Sequence, residues 1–269
     1  MIGRGNRIHL YMCRTHWVND PCLLTRYQDL LDGGERERHA RFRFDRDAKL
    51  FLISHALMRA ALSDFANADI DPASWRFETN TYGKPEITPH DGAPGMRFSL
   101  SHTQGFAVCA VTVSEDIGVD AEAINRNTDV AALAPRILSP AEQIRFQLAA
   151  PEMRRSHFLS LWTLKEAFVK ARGLGLNLPV EQLSFSMNQG AIKFGCTTAA
   201  ESSPQDWAFA LMQPAAEHCL AVAVRSAGAG APEVIPRWFV PLVGDRTGEA
   251  LPKTIASIGL TTHAGDPVS

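Results

Sequence analysis

The chain has 269 residues, enough for one large domain or two small ones, each with a proper core. Its 45% hydrophobic and 21% charged residues are the profile of an ordinary soluble globular protein. A formal net charge of −2 excludes nucleic-acid or anionic-membrane binding by bulk electrostatics, so any anion must be held by a local cluster.

The five cysteines (Cys13, Cys22, Cys109, Cys196, Cys219) are dispersed and never spaced as CxxC. That argues against a structural zinc site or a disulfide scaffold and fits a reducing compartment. The stretch Met1–Gly5 opens no long apolar segment, and no run of about 18 apolar residues occurs. The expected location is the cytoplasm, with no membrane span.

Residues 7–13 alternate Ile8, Leu10 and Met12 with other side chains and predict a first strand. Residues 24–44 are charged and helical in pattern. Arg36, Arg38, Arg41, Arg43 and Arg46 crowd this region with Lys49 behind, and Glu35, Glu37, Asp45 and Asp47 are interleaved. This is either a solvated, internally paired surface or a local phosphate-binding cluster. A helix is predicted over 47–65, with Leu50, Ile53, Leu57 and Ala60/Ala61 on one face. After a turn at Tyr82-Gly83-Lys84-Pro85 comes a hairpin, 97–102 with 106–113, closed by Thr103-Gln104-Gly105.

The second part repeats this order: a helix over 155–172, strands at 183–186 and 192–194, and a hairpin of 207–211 with 219–224. Matching Phe77 with Phe185 and Phe98 with Phe209 gives a recurrence of 108 to 111 residues. The expected fold is α+β, two similar subdomains (1–115 and 116–227), each a helix on a small mainly antiparallel sheet, with a ligand cleft between them. Residues 228–269 are Gly/Pro-punctuated apart from an apolar island at Trp238-Phe239-Val240, and predict a loosely packed or disordered tail.

Chemistry concentrates in two stretches. In Ile117-Gly118-Val119-Asp120-Ala121-Glu122, a strand projects Asp120 and Glu122 from one face. Adjacent carboxylates repel, so this is either an exposed strand end balanced by Arg126 or half of a site for a hard divalent cation. In the helix Leu161–Arg172, Trp162, Glu166 and Lys170 recur at i, i+4, i+8. Alone they read as a solvated Glu–Lys pair beside a core tryptophan, and Gly173 as the helix stop. If Glu166 joins Asp120 and Glu122 across the cleft, three carboxylates and an ammonium make a site for pyrophosphate. There is no GxSxG, HExxH, Walker A or dinucleotide fingerprint.

Taken in order, Tyr82-Gly83-Lys84-Pro85, Phe98-Ser99-Leu100-Ser101-His102, the Ile117–Glu122 segment, and Leu161-Trp162-Thr163-Leu164-Lys165-Glu166-Ala167-Phe168-Val169-Lys170 before Gly173-Leu174-Gly175-Leu176 resemble the 4′-phosphopantetheinyl transferases of the Sfp type. The resemblance covers about residues 35–225. It implies two halves related by a pseudo-two-fold axis in a monomer, with coenzyme A bound between them. It implies Mg²⁺-dependent transfer of the phosphopantetheine arm to a serine of an apo acyl or peptidyl carrier protein, releasing adenosine 3′,5′-bisphosphate. Carried onto this sequence, Asp120, Glu122 and Glu166 would ligate Mg²⁺, Glu166 would take the serine proton, and Lys170 would stabilise phosphate charge. Lys84, Ser101 and His102 would contact the nucleotide and its phosphates, while Trp162 packs the helix. For the 3′-phosphate, Arg41 is the first candidate and Arg38 the second. Leu50 stands where some relatives carry arginine, which redistributes those contacts to Lys49 or Arg46. Two other readings use the same residues: a Mg²⁺-dependent phosphohydrolase of nucleotide pyrophosphates, and a non-catalytic coenzyme A- or carrier-binding protein.

Overall fold

The structure is a computed structural model that describes residues 7–67, 69–88, 95–113, 115–198, 201, 203–226 and 231–262. Its elements in chain order are β1 (Arg7–Arg14), α1 (Pro21–Leu30), α2 (Gly33–Ala40), α3 (Asp45–Phe65), β2 (Phe77–Thr79), β3 (Pro85–Ile87), β4 (Met96–Thr103), β5 (Phe106–Val113) and β6 (Ile117–Ala123). There follow α4 (Val130–Ile137), α5 (Pro140–Leu148), α6 (Pro151–Arg172), β7 (Leu183–Asn188), β8 (Ala191–Cys196), β9 (Trp207–Ala215), β10 (His218–Arg225), β11 (Glu233–Val240), β12 (Gly244–Asp245), β13 (Lys253–Ile258) and β14 (Thr261–Thr262).

Alternation along β1 sends Ile8, Leu10 and Met12 to one face and Tyr11 and Cys13 to the other, and all are buried. A strand apolar on both faces belongs inside a layered structure. One sheet runs β12–β11–β1–β5–β4, with β14 also on β11, and the other runs β6–β10–β9–β13–β8–β7. Their inner faces share one core, in which Ile8, Leu10 and Val108 join Val119, Leu220 and Val222. Helix α3 covers the outer face of the first sheet with Ile53, Leu57 and Ala61, and α6 covers that of the second with Leu164, Phe168 and Ala171. The layer order is helix, sheet, sheet, helix: the α+β arrangement of two similar halves.

The charged region 24–44 is two helices rather than one. The chain breaks at Leu31, and Asp32 starts α2 with a capping box, accepting from the Glu35 N–H while Glu35 accepts from the Asp32 N–H.

The halves meet along a seam of side chains. Hydroxyl oxygens of Ser99, Ser101 and Thr103 on β4 accept from the N–H groups of Val119, Ala121 and Ala123 on β6, at 3.0, 3.2 and 3.1 Å. Period-two spacing on both strands makes this possible, and it satisfies amides of a sheet edge that no backbone strand covers. On its other face β6 carries α6 at very short range. A Cβ at Gly118 would overlap the carbonyl oxygen of Ala167 and the nitrogen of Ala171, so only glycine lets the helix lie this close.

Residues 231–262 do not form the loose tail expected from their composition. Strand β11 pairs in parallel with β1, from Arg7 opposite Glu233 to Met12 opposite Trp238, and β13 lies between β9 and β8 in the second sheet. Arg237 anchors the segment: it donates to Asp64 on α3 at 2.6 Å and forks onto Asp245 at 2.9 and 2.7 Å. Pro236 sits between the residues paired by β14 and those paired by β12, where the outer edge of β11 needs no amide donor. Residues 228–230 and 263–269 lie outside the described residues.

Candidate active site

Strand β6 brings Asp120 and Glu122 to the seam, 6% and 7% exposed. Helix α6, seated on Gly118, brings Trp162, Glu166 and Lys170 alongside them. The Lys170 ammonium reaches Asp120 Oδ1 at 2.7 Å and Ser101 Oγ at 2.9 Å, and the Ser101 hydroxyl donates to the same Asp120 oxygen at 3.0 Å. Asp120 Oδ2 is buried and has no hydrogen-bond partner. Glu122 accepts from the Trp162 indole N–H at 2.9 Å and from Arg126 at 3.1 and 3.3 Å.

The electrostatics follow from this packing. Burial first, then the Asp120 charge and, after the opposing effect of Lys170, the Glu122 charge push the Glu166 carboxyl up to about 7. Burial and Asp120 likewise raise Glu122, against the hydrogen bond from Trp162 and the pull of Arg126. These are hard oxygen donors, the type that suits Mg²⁺. An orphaned Asp120 oxygen and mutually repelling carboxylates are what an uncompensated cation site leaves behind, so the donor set fits the metal. Among the described residues, however, no three His, Cys, Asp or Glu side chains stand close enough to enclose an ion. Glu122 is turned toward Trp162 and Arg126, and closure on a metal requires it to turn back.

The other sequence-derived candidates divide. Ser101 is in the centre. His102, next on β4, has its imidazole held well below its ordinary range by desolvation and then by coulombic effects of His55, Lys170 and Arg38. Arg38 lies over the Phe51 ring at 5.4 Å. Arg41 instead pairs with Glu37 at 3.3 Å, both side chains more than 70% exposed, and Lys49 donates to Asn19 at 2.8 Å. Neither is brought to the cluster by any contact seen here, and Arg46 pairs with its neighbour Asp47. Lys84 reaches the cleft, yet its ammonium donates to the carbonyls of Ala171 at 3.0 Å and Ile117 at 3.4 Å. It ties the C-terminus of α6 to the start of β6, and burial lowers its pKa.

Three contributors were missed from sequence. Trp162 is a hydrogen-bond donor to a site carboxylate, not only packing. Glu35 and His55 form a pair next to Phe51, the ring that Arg38 lies over: Glu35 pairs with His55 Nδ1 at 2.8 Å and accepts from Arg59 at 2.7 Å. Burial pushes Glu35 up, but the hydrogen bonds from His55 and the Asp32 amide, with the Arg59 charge, bring it down to about 2. The Asp32-x-x-Glu35 capping spacing was the available signal.

Beside Glu166 opens a cavity of about 500 Å³, walled by Tyr82, Phe98, Leu100, Trp162, Val169 and Leu178. Apolar walls with a few convergent polar groups at one end are the ordinary form of a small-molecule site. No helix among the described residues is long and apolar enough to cross a membrane.

Residues 15–114 match the family model described as 4′-phosphopantetheinyl transferase, N-terminal, and residues 116–223 that of the 4′-phosphopantetheinyl transferase superfamily. A 4′-phosphopantetheinyl transferase of Bacillus subtilis is 37% identical over 150 residues, 56% of this chain and 63% of that protein. The 4′-phosphopantetheinyl transferase HetI of a Nostoc strain is 32% identical over 152 residues, 55% of this chain and 63% of its own length. The chain thus spans somewhat less than two thirds of these two relatives. The 4′-phosphopantetheinyl transferase Sfp of Bacillus subtilis strain 168 is 30% identical over 165 residues, 61% of this chain and 70% of that protein. With both family models placed on consecutive stretches of one chain and the shared segments carrying the carboxylates, the ammonium and the seam, this chain belongs to the 4′-phosphopantetheinyl transferase family.

Proposed function

We propose that the protein transfers the 4′-phosphopantetheine arm of coenzyme A to a serine of an apo acyl or peptidyl carrier protein, releasing adenosine 3′,5′-bisphosphate. The observation that carries this reading is that Lys170, bonded to Asp120 and Ser101, stands with Glu166 at the polar end of an apolar cavity, beside the carboxylates of β6. A pyrophosphate would sit at the charged end, and the cavity would take the methylenes, methyls and amides of the arm. Asp120, Glu122 and Glu166 would hold Mg²⁺, which when bound neutralises the pyrophosphate and polarises the reacting phosphoryl group.

The remaining steps fall to the chain. Lys170 is held at a fixed place by Asp120 and Ser101, ready to share its charge with a phosphate oxygen. Arg38 and His102 would supply contacts for further phosphate oxygens. Glu166, a desolvated carboxyl beside Asp120, would accept the proton of an incoming serine hydroxyl. The serine oxygen then attacks the phosphorus bonded to the arm, and the bond to the leaving bisphosphate breaks.

Intact-mass spectrometry of several apo carrier proteins, incubated with the protein, Mg²⁺ and coenzyme A, tests the reading. One carrier at least gains the mass of a phosphopantetheine arm; no gain on any of them refutes it. Bisphosphate release at the same rate without a carrier would favour a phosphohydrolase instead. For the 3′-phosphate, Arg38→Ala is expected to raise the KM for coenzyme A roughly tenfold, whereas Arg41→Ala leaves it within about twofold. Steady-state kinetics of both variants with coenzyme A and 3′-dephospho-coenzyme A decide between the two arginines.

A further inference from the structure

Lys165 neighbours Glu166 in α6 but leaves the helix on another side and is wholly buried. Its ammonium donates to the carbonyls of Ile137 at 2.7 Å and Val180 at 3.0 Å and pairs with Glu142 Oε2 at 2.7 Å. Glu142 is equally buried. The same Oε2 accepts from the Ser139 N–H at 2.7 Å, and Oε1 accepts from the Phe185 N–H on β7 at 2.7 Å. Every strong polar group of this pair is therefore directed at a backbone position.

Two of those positions matter for the cleft. Ile137 ends α4, Val180 begins the short turn Val180–Gln182, and both line the apolar cavity. Lys165 is thus a shared donor that sets how far apart these two pieces of cavity wall stand. A buried ion pair is a poor source of net stability, because desolvation offsets most of the attraction. What it supplies is direction, since its hydrogen bonds fix carbonyls that apolar packing alone would let slide.

We propose that Lys165, together with Glu142, is a positioning residue that fixes the Ile137–Val180 wall and so sets affinity for the arm, without touching the nucleotide. This rests on the reading above in which the cavity holds the phosphopantetheine arm.

Adenosine 3′,5′-bisphosphate lacks the arm and separates the two parts of the site. In Lys165→Met, the KM for coenzyme A is expected to rise roughly tenfold while the inhibition constant of the bisphosphate stays within about twofold of the parent. If the two constants move together, or neither moves, Lys165 only supports the fold and the proposal fails. Circular dichroism and a urea midpoint establish that the variant is folded. Should it not be, Glu142→Gln keeps Lys165 on its two carbonyls while weakening the pair, and the same split is expected at roughly threefold. Its absence there is equally decisive against the proposal. A parent protein that neither turns over coenzyme A nor binds the bisphosphate would overturn the proposed function itself, a different result from a missing split.

Discussion

Replacing Gly118 by alanine is expected to remove about 99% of kcat/KM, although the residue has no side chain and would touch no substrate. The added carbon would overlap backbone atoms of Ala167 and Ala171, and helix backbone cannot yield as a flexible side chain would. Helix α6 must therefore back away from β6. Glu166 and Lys170 ride on α6 while Asp120 and Glu122 stay on β6, so the retreat separates the four charged groups. A displacement on the order of 1 Å suffices for a hundredfold loss. Overpacking also lowers stability by roughly 1–3 kcal/mol. Gly33→Ala at the start of α2, where the added carbon meets nothing within 4 Å, is the control and should be silent in both assays. Comparable kinetics in the two variants would show that the close approach of α6 to β6 is dispensable.

Glu166→Gln should lower turnover by about 10³-fold if Glu166 is the proposed general base, and at the same time stabilise the protein in alkaline solution. Burial and the Asp120 charge raise Glu166 from an ordinary 4.5 to about 7, so the folded state retains a proton that the unfolded chain has given up. Between those values the folded state binds more protons, and stability falls as pH rises through the window. Below about pH 4.5 the penalty is absent; above about pH 7 it is complete. Its size is at most on the order of 2–3 kcal/mol, since the carboxyl keeps some contact with solvent. The neutral amide escapes it. Urea unfolding without divalent ions should show the variant level with the parent at about pH 4 and ahead by roughly 2 kcal/mol at about pH 8. Added Mg²⁺ should narrow that gap by stabilising the parent. A gap of the same size at both pH values would remove the carboxylate cluster as the cause of the raised pKa.

The parts of this site that local pattern encodes were open to sequence reasoning. Asp120 and Glu122 share a face because a strand has period two, Glu166 and Lys170 share one because they are four apart, and Gly173 closes the helix with φ at +64°. What could not be read depends on which surfaces meet. A lysine one place before Glu166 looks solvated until Glu142 arrives from α5 to pair with it. That Lys84 also ties the end of α6 to the start of β6 shows only once α6 presents its carbonyls. Arg41 ranks ahead of Arg38 until the end of α2 is seen to pair Arg41 with Glu37 in solvent and to lay Arg38 over Phe51. Strand β11 carries buried Val234, Trp238 and Val240 in alternation, but Pro236 and the glycines before it hide a strand that has no hairpin partner in sequence. Strand β13 buries only Ala256, too little for any pattern to register.

The parallel pairing of β1 with β11 has a consequence for how the protein is made. Arg7 and Glu233 are 226 residues apart, yet their side chains meet at 3.0 Å. During synthesis β1 must keep an open edge until β11, which begins only at Glu233, has followed it. Contacts of such high sequence separation slow folding, and an apolar strand left waiting is exposed to other chains meanwhile. An N-terminal fragment ending near residue 115 would carry the same unfilled edge permanently, and should aggregate rather than fold alone. The two halves resemble each other in layers, but the chain's last strands make them inseparable.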